Sequence, residues 1–288
     1  MKSRVIFGVT LAMQINFQHI APNPLLKGYV EKLWVFESEG KAFSDDIKLI
    51  VPNDRMKLAI PFRNGILAAV EGKSHLTKEH TLTLTGMMDM PLNMDIETNE
   101  NSGTLCAEFS PRGAYYFFKL NFNEIKNKVL SLSDILGSVA KRWEERIANA
   151  ELIDDKVSLF QQFLLSQFLQ HKEDRIFEFC VGKIKSSEGK ITVKELEKQT
   201  GYSSRWLNMK FVEKLGVSPK NLASIIRFKN YYEALCNGSH ENLIHNNSYY
   251  HYYYDQSHFI KDFKRFTGLT PTHLSKKIND WGRIFYNV

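Results

Sequence analysis

The run Asp255-Gln-Ser-His-Phe-Ile-Lys-Asp-Phe-Lys-Arg-Phe-Thr-Gly-Leu-Thr-Pro271 leaves this chain few conformational choices. Asp255 is a natural helix N-cap, because its carboxylate can accept from the free N–H groups of a first turn. Phe259, Phe263 and Phe266 follow at spacings of four and three, which places them on one helix face. Gly268 supplies the left-handed residue that closes a helix, and Pro271 bars its continuation. The opposite face carries Gln256, Ser257, His258, Lys261, Lys264 and Arg265. These side chains can bond to phosphates and base edges, on a rod that fits a DNA major groove.

A second element follows the same plan. Ser203 is a capping residue, Leu207 and Phe211 lie at i and i+4, and Ser204, Arg205, Asn208 and Lys210 face outward. Gly216 and Pro219 repeat the spacing of Gly268 and Pro271. Two such elements imply an internal repeat. Between them, Lys220–Asn237 places Leu222, Ile225, Ile226 and Leu235 on a helical period, as a rigid linker helix would.

Together these residues resemble the AraC/XylS family of bacterial transcription regulators. The matching features are Leu207-x-x-x-Phe211, Gly216-Val-Ser-Pro219, Arg227 in the linker helix, Tyr254-Asp-Gln-Ser-His-Phe259, Phe263-Lys-Arg-Phe266 and Gly268-Leu-Thr-Pro271. The resemblance covers Ile176–Lys277 and implies two helix-turn-helix subdomains reading adjacent major-groove segments on one face of the DNA. Three positions depart from the family. It usually has Ile-Ala where Asn247-Ser248 stand, Gly where Tyr252 stands, and a small residue where Glu197 stands. Tyr at positive φ is costly, so the supporting helix Asn242–His251 is expected to be loose or rebuilt. The second motif should then read DNA more weakly or more degenerately than the first.

Length supports two domains: 288 residues with 43% hydrophobic content can fill two cores. The net charge of +6 is unevenly placed. From Lys172 onward there are 19 basic and 12 acidic residues, a net of +7, which leaves 19 basic and 20 acidic before it. That asymmetry is expected when only one domain meets a polyanion. Cys106, Cys180 and Cys236 are widely spaced, so neither a zinc site nor a disulfide framework is expected, and a reducing cytoplasm is. No apolar run reaches the roughly 18–20 residues of a membrane helix. Residues 1–13 read as an uncertain leader, with Met13 as an alternative start. The expected location is the cytoplasm, in association with the nucleoid.

The fold expected is α+β. A mainly-β, barrel-like domain with flanking helices spans 14–170. An all-α domain spans 174–278, with two helix-turn-helix motifs joined by a linker helix, and 279–288 form a tail. Strands are expected at Lys48–Pro52, Met56–Phe62, Thr81–Thr85, Met88–Glu97 and Leu105–Phe109, from period-two patterns or short β-rich runs. Pro24–Ser38 reads as helix passing into strand. From Gly113 the period turns helical, and Asp154–Gln170 is either a dimerisation helix or a cover for the barrel. Pro24-Leu-Leu-x-x-Tyr-Val-x-x-Leu-Trp34, Pro52 and Phe109-Ser-Pro-Arg-Gly113 resemble the sensory barrels that precede this DNA-binding module in part of the family.

Arg205 can make two hydrogen bonds to a guanine edge and Asn208 can pair with adenine; Gln256, His258 and Lys261 are their counterparts. Ser203, Ser204 and Ser257 complete the two helix starts. Phosphate is the default partner for Lys210, Lys264 and Arg265. Tyr249, Tyr250, Tyr252, Tyr253 and Tyr254 read as packing and groove lining rather than base stacking. A barrel interior lined by Met56, Leu58, Ile60, Met88, Met90, Met94 and Phe109, with Arg112 as an anion clamp, could hold a small effector. The alternative is a filled core. His75 and His80 lack metal spacing, and neither a phosphate loop nor a nucleophile elbow occurs, so no cofactor, metal or enzymatic role is expected. The function expected is a regulator, by preference an activator. Its partners would be promoter DNA, a small-molecule effector, RNA polymerase and a second copy of the chain. The rivals are a ligand-independent DNA-binding protein and an enzyme delivered to DNA, which would need titratable groups clustered in the barrel.

Overall fold

Between residues 13 and 131 the chain is built mainly of strands, and after Leu132 the described elements are helical. The computed structural model describes residues 4–7, 13–40, 49–95, 101–168, 174–237 and 248–275. The strands are β1 (Arg4–Phe7), β2 (Met13–Ile20), β3 (Val30–Gly40), β4 (Leu49–Ile50), β5 (Met56–Arg63), β6 (Ile66–Val70), β7 (Lys73–Thr77), β8 (Thr83–Thr85), β9 (Leu92–Asp95), β10 (Asn101–Phe109) and β11 (Val129–Ser131). They form a large sheet ordered β1-β2-β3-β10-β5-β8-β11 and a small one ordered β4-β9-β6-β7. Every pairing between the described strands is antiparallel.

The central strands of the large sheet are covered on both faces. One face meets the small sheet. The other carries Met56, Leu58, Ile60, Leu105, Ala107 and Phe109, all at most 1% exposed, in one core with the helices α1 (Ser133–Leu136), α2 (Ser138–Asn149) and α3 (Ile153–Gln167). This double cover explains why β10 is buried from Ser102 to Phe109, where a one-sided strand would alternate. Two side chains tie the helices down: Glu144 accepts from the Leu82 N–H at 2.8 Å and Gln161 from the Asn23 N–H at 2.7 Å. Val157, Phe160, Phe163 and Leu164 of α3 are buried in this core. Of the segment Asp154–Gln170, whose last two residues lie outside the described ones, the apolar face of α3 covers the barrel.

The described strands differ from or add to those expected at three places. Arg4–Phe7, within the segment read as a leader, is a strand paired to β2 from Arg4↔Gln18 to Phe7↔Ile15. The strand expected at Met88–Glu97 starts only at Leu92, because Asp89 is buried as an ion-pair partner and not on a solvated strand face; Ile96 and Glu97 lie outside the described residues. Strands β6 and β7 had no clear alternation to announce them; their hairpin turns through Glu71 and Gly72, both at positive φ.

The C-terminal half contains α4 (Arg175–Ser186), α5 (Val193–Thr200), α6 (Ser204–Leu215), α7 (Pro219–Asn237), α8 (Gln256–Thr267) and α9 (Pro271–Ser275). A capping box starts α5: Thr192 accepts from the Glu195 N–H while Glu195 reaches back to the Thr192 N–H. Helix α7 packs against α4, α6 and α8. Its Phe228 meets Phe266 at 5.0 Å and Phe263 at 5.7 Å, and Tyr231 meets Phe259 at 4.8 Å.

An aromatic seam joins the two halves. Tyr115 meets Phe177 of α4 at 5.5 Å, Phe177 meets Phe211 of α6 at 4.9 Å, and Lys214 lies 4.2 Å above the Tyr115 ring. Gly216, at φ +78°, sits so close that a Cβ there would lie 2.6 Å from the Phe122 carbonyl oxygen. Gly201 has a similar φ of +75° but open space around it. Replacing Gly201 by Ala should therefore cost only the left-handed strain, about 1–2 kcal/mol. Gly216→Ala should cost that much and also push the domains apart. Thermal unfolding of the two variants checks this, and equal losses would contradict the seam.

Candidate nucleic-acid interface

Helices α6 and α8 are the same device twice. Each has twelve residues, and each starts on a side-chain cap: Ser203 accepts from the Trp206 N–H and Asp255 from the His258 N–H. Each ends on a left-handed glycine whose N–H returns to a carbonyl four residues back, Gly216 to Val212 and Gly268 to Lys264. Phe211 and Leu207 anchor α6, and Phe259, Phe263 and Phe266 anchor α8, all at most 4% exposed. Burying each ring contributes about 1.5–3 kcal/mol, enough to fix which face remains outside.

On α6, Ser203, Arg205 and Asn208 are exposed and Ser204 and Lys210 are half-buried. Lys210 lies 3.8 Å from Glu213 and 5.7 Å above the Trp206 ring, which is itself stacked on Tyr202 at 4.1 Å. Glu197, where the family resemblance leads one to expect a small residue, accepts from the Ser204 N–H. That bond lowers the Glu197 pKa and adds a second cap to the start of α6.

On α8, Gln256, Ser257, His258, Lys261 and Lys264 are exposed. Asp262 on the same helix is buried, and burial raises its carboxyl pKa; His258 at 3.9 Å and Arg227 at 4.0 Å partly counter that. Arg227 also donates to the Gly189 carbonyl and to Ser224, so it binds α7 to the turn before α5. The expected helix Asn242–His251 lies outside the described residues up to Asn247; from Ser248 to His251 there is a 3-10 turn. Tyr252 is not among the residues at positive φ, so the strain that its replacement of Gly implied is not incurred. The tyrosines part company: Tyr253 is 2% exposed, whereas Tyr254, beside the α8 cap, is 96% exposed. Packing does not account for Tyr254.

Arg265 is not free. It donates to Asp89 of the N-terminal domain at 2.5 Å and to Asn221 of α7 at 3.3 Å. Nothing in the sequence pointed to this pair, whose members lie 176 residues apart.

The N-terminal domain holds a cavity of about 100 Å³ between its two sheets. Its lining includes Trp34, Lys57, Ala59, Pro61, Thr104, Cys106, Ile66, Ala68, Leu92 and Met88. Of the expected lining residues whose side chains are described, only Met88 does so. Met56, Leu58, Ile60 and Phe109 point from the opposite face of the large sheet into the helix-covered core, because side chains alternate along a strand. Met90 borders a separate groove with Asp89 and Arg265, and Met94 is described only as part of β9. Arg112 is exposed and lies 3.6 Å from Glu178 of α4, away from the cavity.

Beside the cavity lies a charge network that the sequence did not announce. Glu108, 3% exposed, accepts from Trp34 at 3.3 Å and Arg55 at 3.2 Å, with Lys57 at 3.6 Å. Burial would raise the Glu108 pKa, but Lys57, Arg55 and Lys32 outweigh it and the net shift is downward. Asp54, 1% exposed, takes Lys229 of α7 at 2.8 Å, with Lys185 of α4 at 3.9 Å. Its pKa is also lowered: Lys229, Arg55 and Lys185 overcome the effect of burial. Glu31 pairs with Arg55 at 2.7 Å and with Lys185. Each carboxylate is held ionised by cations, the pattern of a structural latch rather than of a catalytic acid. Burial pushes the Cys106 thiol well above its usual pKa, so it is no thiolate nucleophile at neutral pH. Among the described residues, no three His, Cys, Asp or Glu side chains come together as a metal site, and no helix is long and apolar enough to cross a membrane.

Comparison with known proteins agrees with this division. Residues 196–277 match the model of a helix-turn-helix domain family, and residues 18–131 match a family described as a domain of unknown function, DUF6597. No curated protein matches the sequence significantly. Among solved structures, ToxT from Vibrio cholerae has 13% identity and a TM-score of 0.44, over 93% of this chain and 100% of that one. A second structure of wild-type ToxT from that organism, bound to an unsaturated fatty acid, has 12% identity and a TM-score of 0.44, over 90% of this chain and 98% of the other. A predicted oxalate decarboxylase from Thermotoga maritima has 8% identity and a TM-score of 0.28, over 38% of this chain and 92% of that one. With a DUF6597 domain followed by an AraC-type helix-turn-helix domain, the chain is a DNA-binding transcription regulator.

Proposed function

We propose that the chain is a sequence-specific activator that reads promoter DNA through α6 and α8, under the control of its N-terminal domain. The observation that carries this is the pair of matched, capped helices on one buried linker, each with most of its polar face in solvent. Arg205 and Asn208 read bases from α6, and Gln256, His258 and Lys261 do so from α8. Lys210, Lys264 and Arg265 contact phosphates, and Ser203, Ser204 and Ser257 line the helix starts. RNA polymerase and a second copy of the chain are the protein partners this role calls for.

The N-terminal domain would act by a population shift. A small-molecule effector changes DNA binding only if it favours one arrangement of the two halves over the other. The cavity between the sheets is below the about 150 Å³ known to take a benzene molecule. An effector lodged there must be smaller than that, or must part the sheets. The small volume also favours a second reading, in which the protein binds DNA without any effector. Titration of the purified protein with cell extract during DNA binding separates the two.

Selection of duplexes from a random pool should enrich sites with two blocks about 10–10.5 base pairs apart, one per helix. The block read by α6 should be the sharper, and an unenriched pool would end the proposal. Arg205→Ala should lose about 1–3 kcal/mol of binding and relax preference at one base pair. Lys264→Ala should weaken all sequences alike and lower the salt slope by about one. Equal specificity of the Arg205→Ala variant and the wild type would rule out base reading by Arg205.

A further inference from the structure

We infer that Asp89 of the N-terminal domain stands in for a DNA phosphate, holding Arg265 of α8 until duplex DNA takes its place. This rests on the proposal that α8 contacts DNA.

Asp89 lies in the loop between β8 and β9 and is 3% exposed. Four side chains converge on its carboxylate. Lys126 lies at 2.7 Å and Asn127 donates at 2.7 Å, both from the N-terminal domain. Asn221 of α7 donates at 3.1 Å and Arg265 of α8 at 2.5 Å, both from the DNA-binding domain. The loop is fixed from behind, because Asn127 also accepts the Asp89 N–H at 2.8 Å. The carboxylate is thus presented to the last turn of α8 on a rigid support.

An arginine fork recognises carboxylate and phosphate through the same N–H groups. The N–H groups that Arg265 spends on Asp89 and Asn221 are not available to a backbone phosphate, and the Asp89 carboxylate repels a second anion brought to the same guanidinium. Arg265 is 39% exposed, so phosphate can approach it from the open side. Lys261 and Lys264 of the same helix are exposed, so α8 can meet DNA before Arg265 is released. Within this arrangement Asp89 lowers DNA affinity and restrains the second recognition helix against the barrel. Any change that moves the β8–β9 loop would release it, and that loop is contiguous with Met88, which lines the inter-sheet cavity.

The test uses the full chain and a duplex selected from a random pool. Asp89→Asn keeps the shape of the side chain and removes the charge. The variant should bind the duplex about five- to thirty-fold more tightly at low salt. The gain should shrink as salt is raised, since the pair is partly exposed. It should vanish in an Arg265→Ala background, where there is no guanidinium to free. Unchanged or weaker binding by Asp89→Asn, while wild type binds the duplex, would overturn the inference and leave the DNA-binding proposal standing. Failure of wild type to bind any duplex would instead remove the proposal it rests on. Wild-type protein gives an independent reading by NMR: the Asp89 carboxylate carbon, which Arg265 contacts directly, should shift its resonance once duplex draws the guanidinium away. An unaltered Asp89 carboxylate resonance with DNA bound counts against the clamp whether or not the variant folds.

Discussion

Burial of α7 fixes how the two capped helices α6 and α8 are held. Leu222, Ile225, Phe228, Tyr231, Tyr232 and Leu235 are at most 2% exposed. A helix with so much of its surface covered cannot turn about its axis without breaking contacts on several sides. Phe228 and Tyr231 carry this constraint to Phe259, Phe263 and Phe266, and so to the position of α8. Truncating one of these rings costs about 3–5 kcal/mol, comparable to the whole stability of a small domain. The aromatic packing therefore sets the offset between α6 and α8, and the charged faces only exploit it.

Where the two halves meet, the contacts are of two kinds. The seam of Tyr115, Phe177 and Phe211 is apolar and gains from exclusion of water. Around it stand ion pairs, with Asp54, Glu31 and Asp89 on one side and Lys229, Lys185 and Arg265 on the other. Buried carboxylates such as Asp54 and Asp89 add little net stability, because desolvation offsets much of the attraction. Once in place they penalise any arrangement that leaves them unpaired. The pairs thus specify how the halves dock, and they make the docked state sensitive to a competing anion. The network around Glu108 joins the latch to the inter-sheet cavity through Arg55 and Lys57. A change in the cavity could reach α4 and α7 by that route.

The two capped helices α6 and α8 were legible in the sequence because their signals are local. A cap, an i, i+4 ring pair and a left-handed glycine all lie within a few turns of one another, and each acts through its neighbours. Glu197 and Tyr252 looked like defects against the family pattern. The structure gives Glu197 a partner at the Ser204 N–H, and Tyr252 has no positive φ to strain it. In the N-terminal half the strands were legible but their orientation was not. Alternation separates Met56, Leu58 and Ile60 from Lys57, Ala59 and Pro61. It does not say which set faces the second sheet when both faces are covered. The apolar set, expected as the cavity lining, lies against the helices.

The sequence by itself determined the two capped helices, the linker between them, the change from strands to helices along the chain and the polar side chains on the outer faces of those helices. It could do so because helix propensity, capping and apolar period act over short stretches of chain. Only the tertiary structure decided which face of β5 lines the cavity, that α3 covers the barrel, and that Asp89 holds Arg265 across 176 residues. Those outcomes depend on which surfaces meet once both domains are folded, and no local pattern along the chain records that.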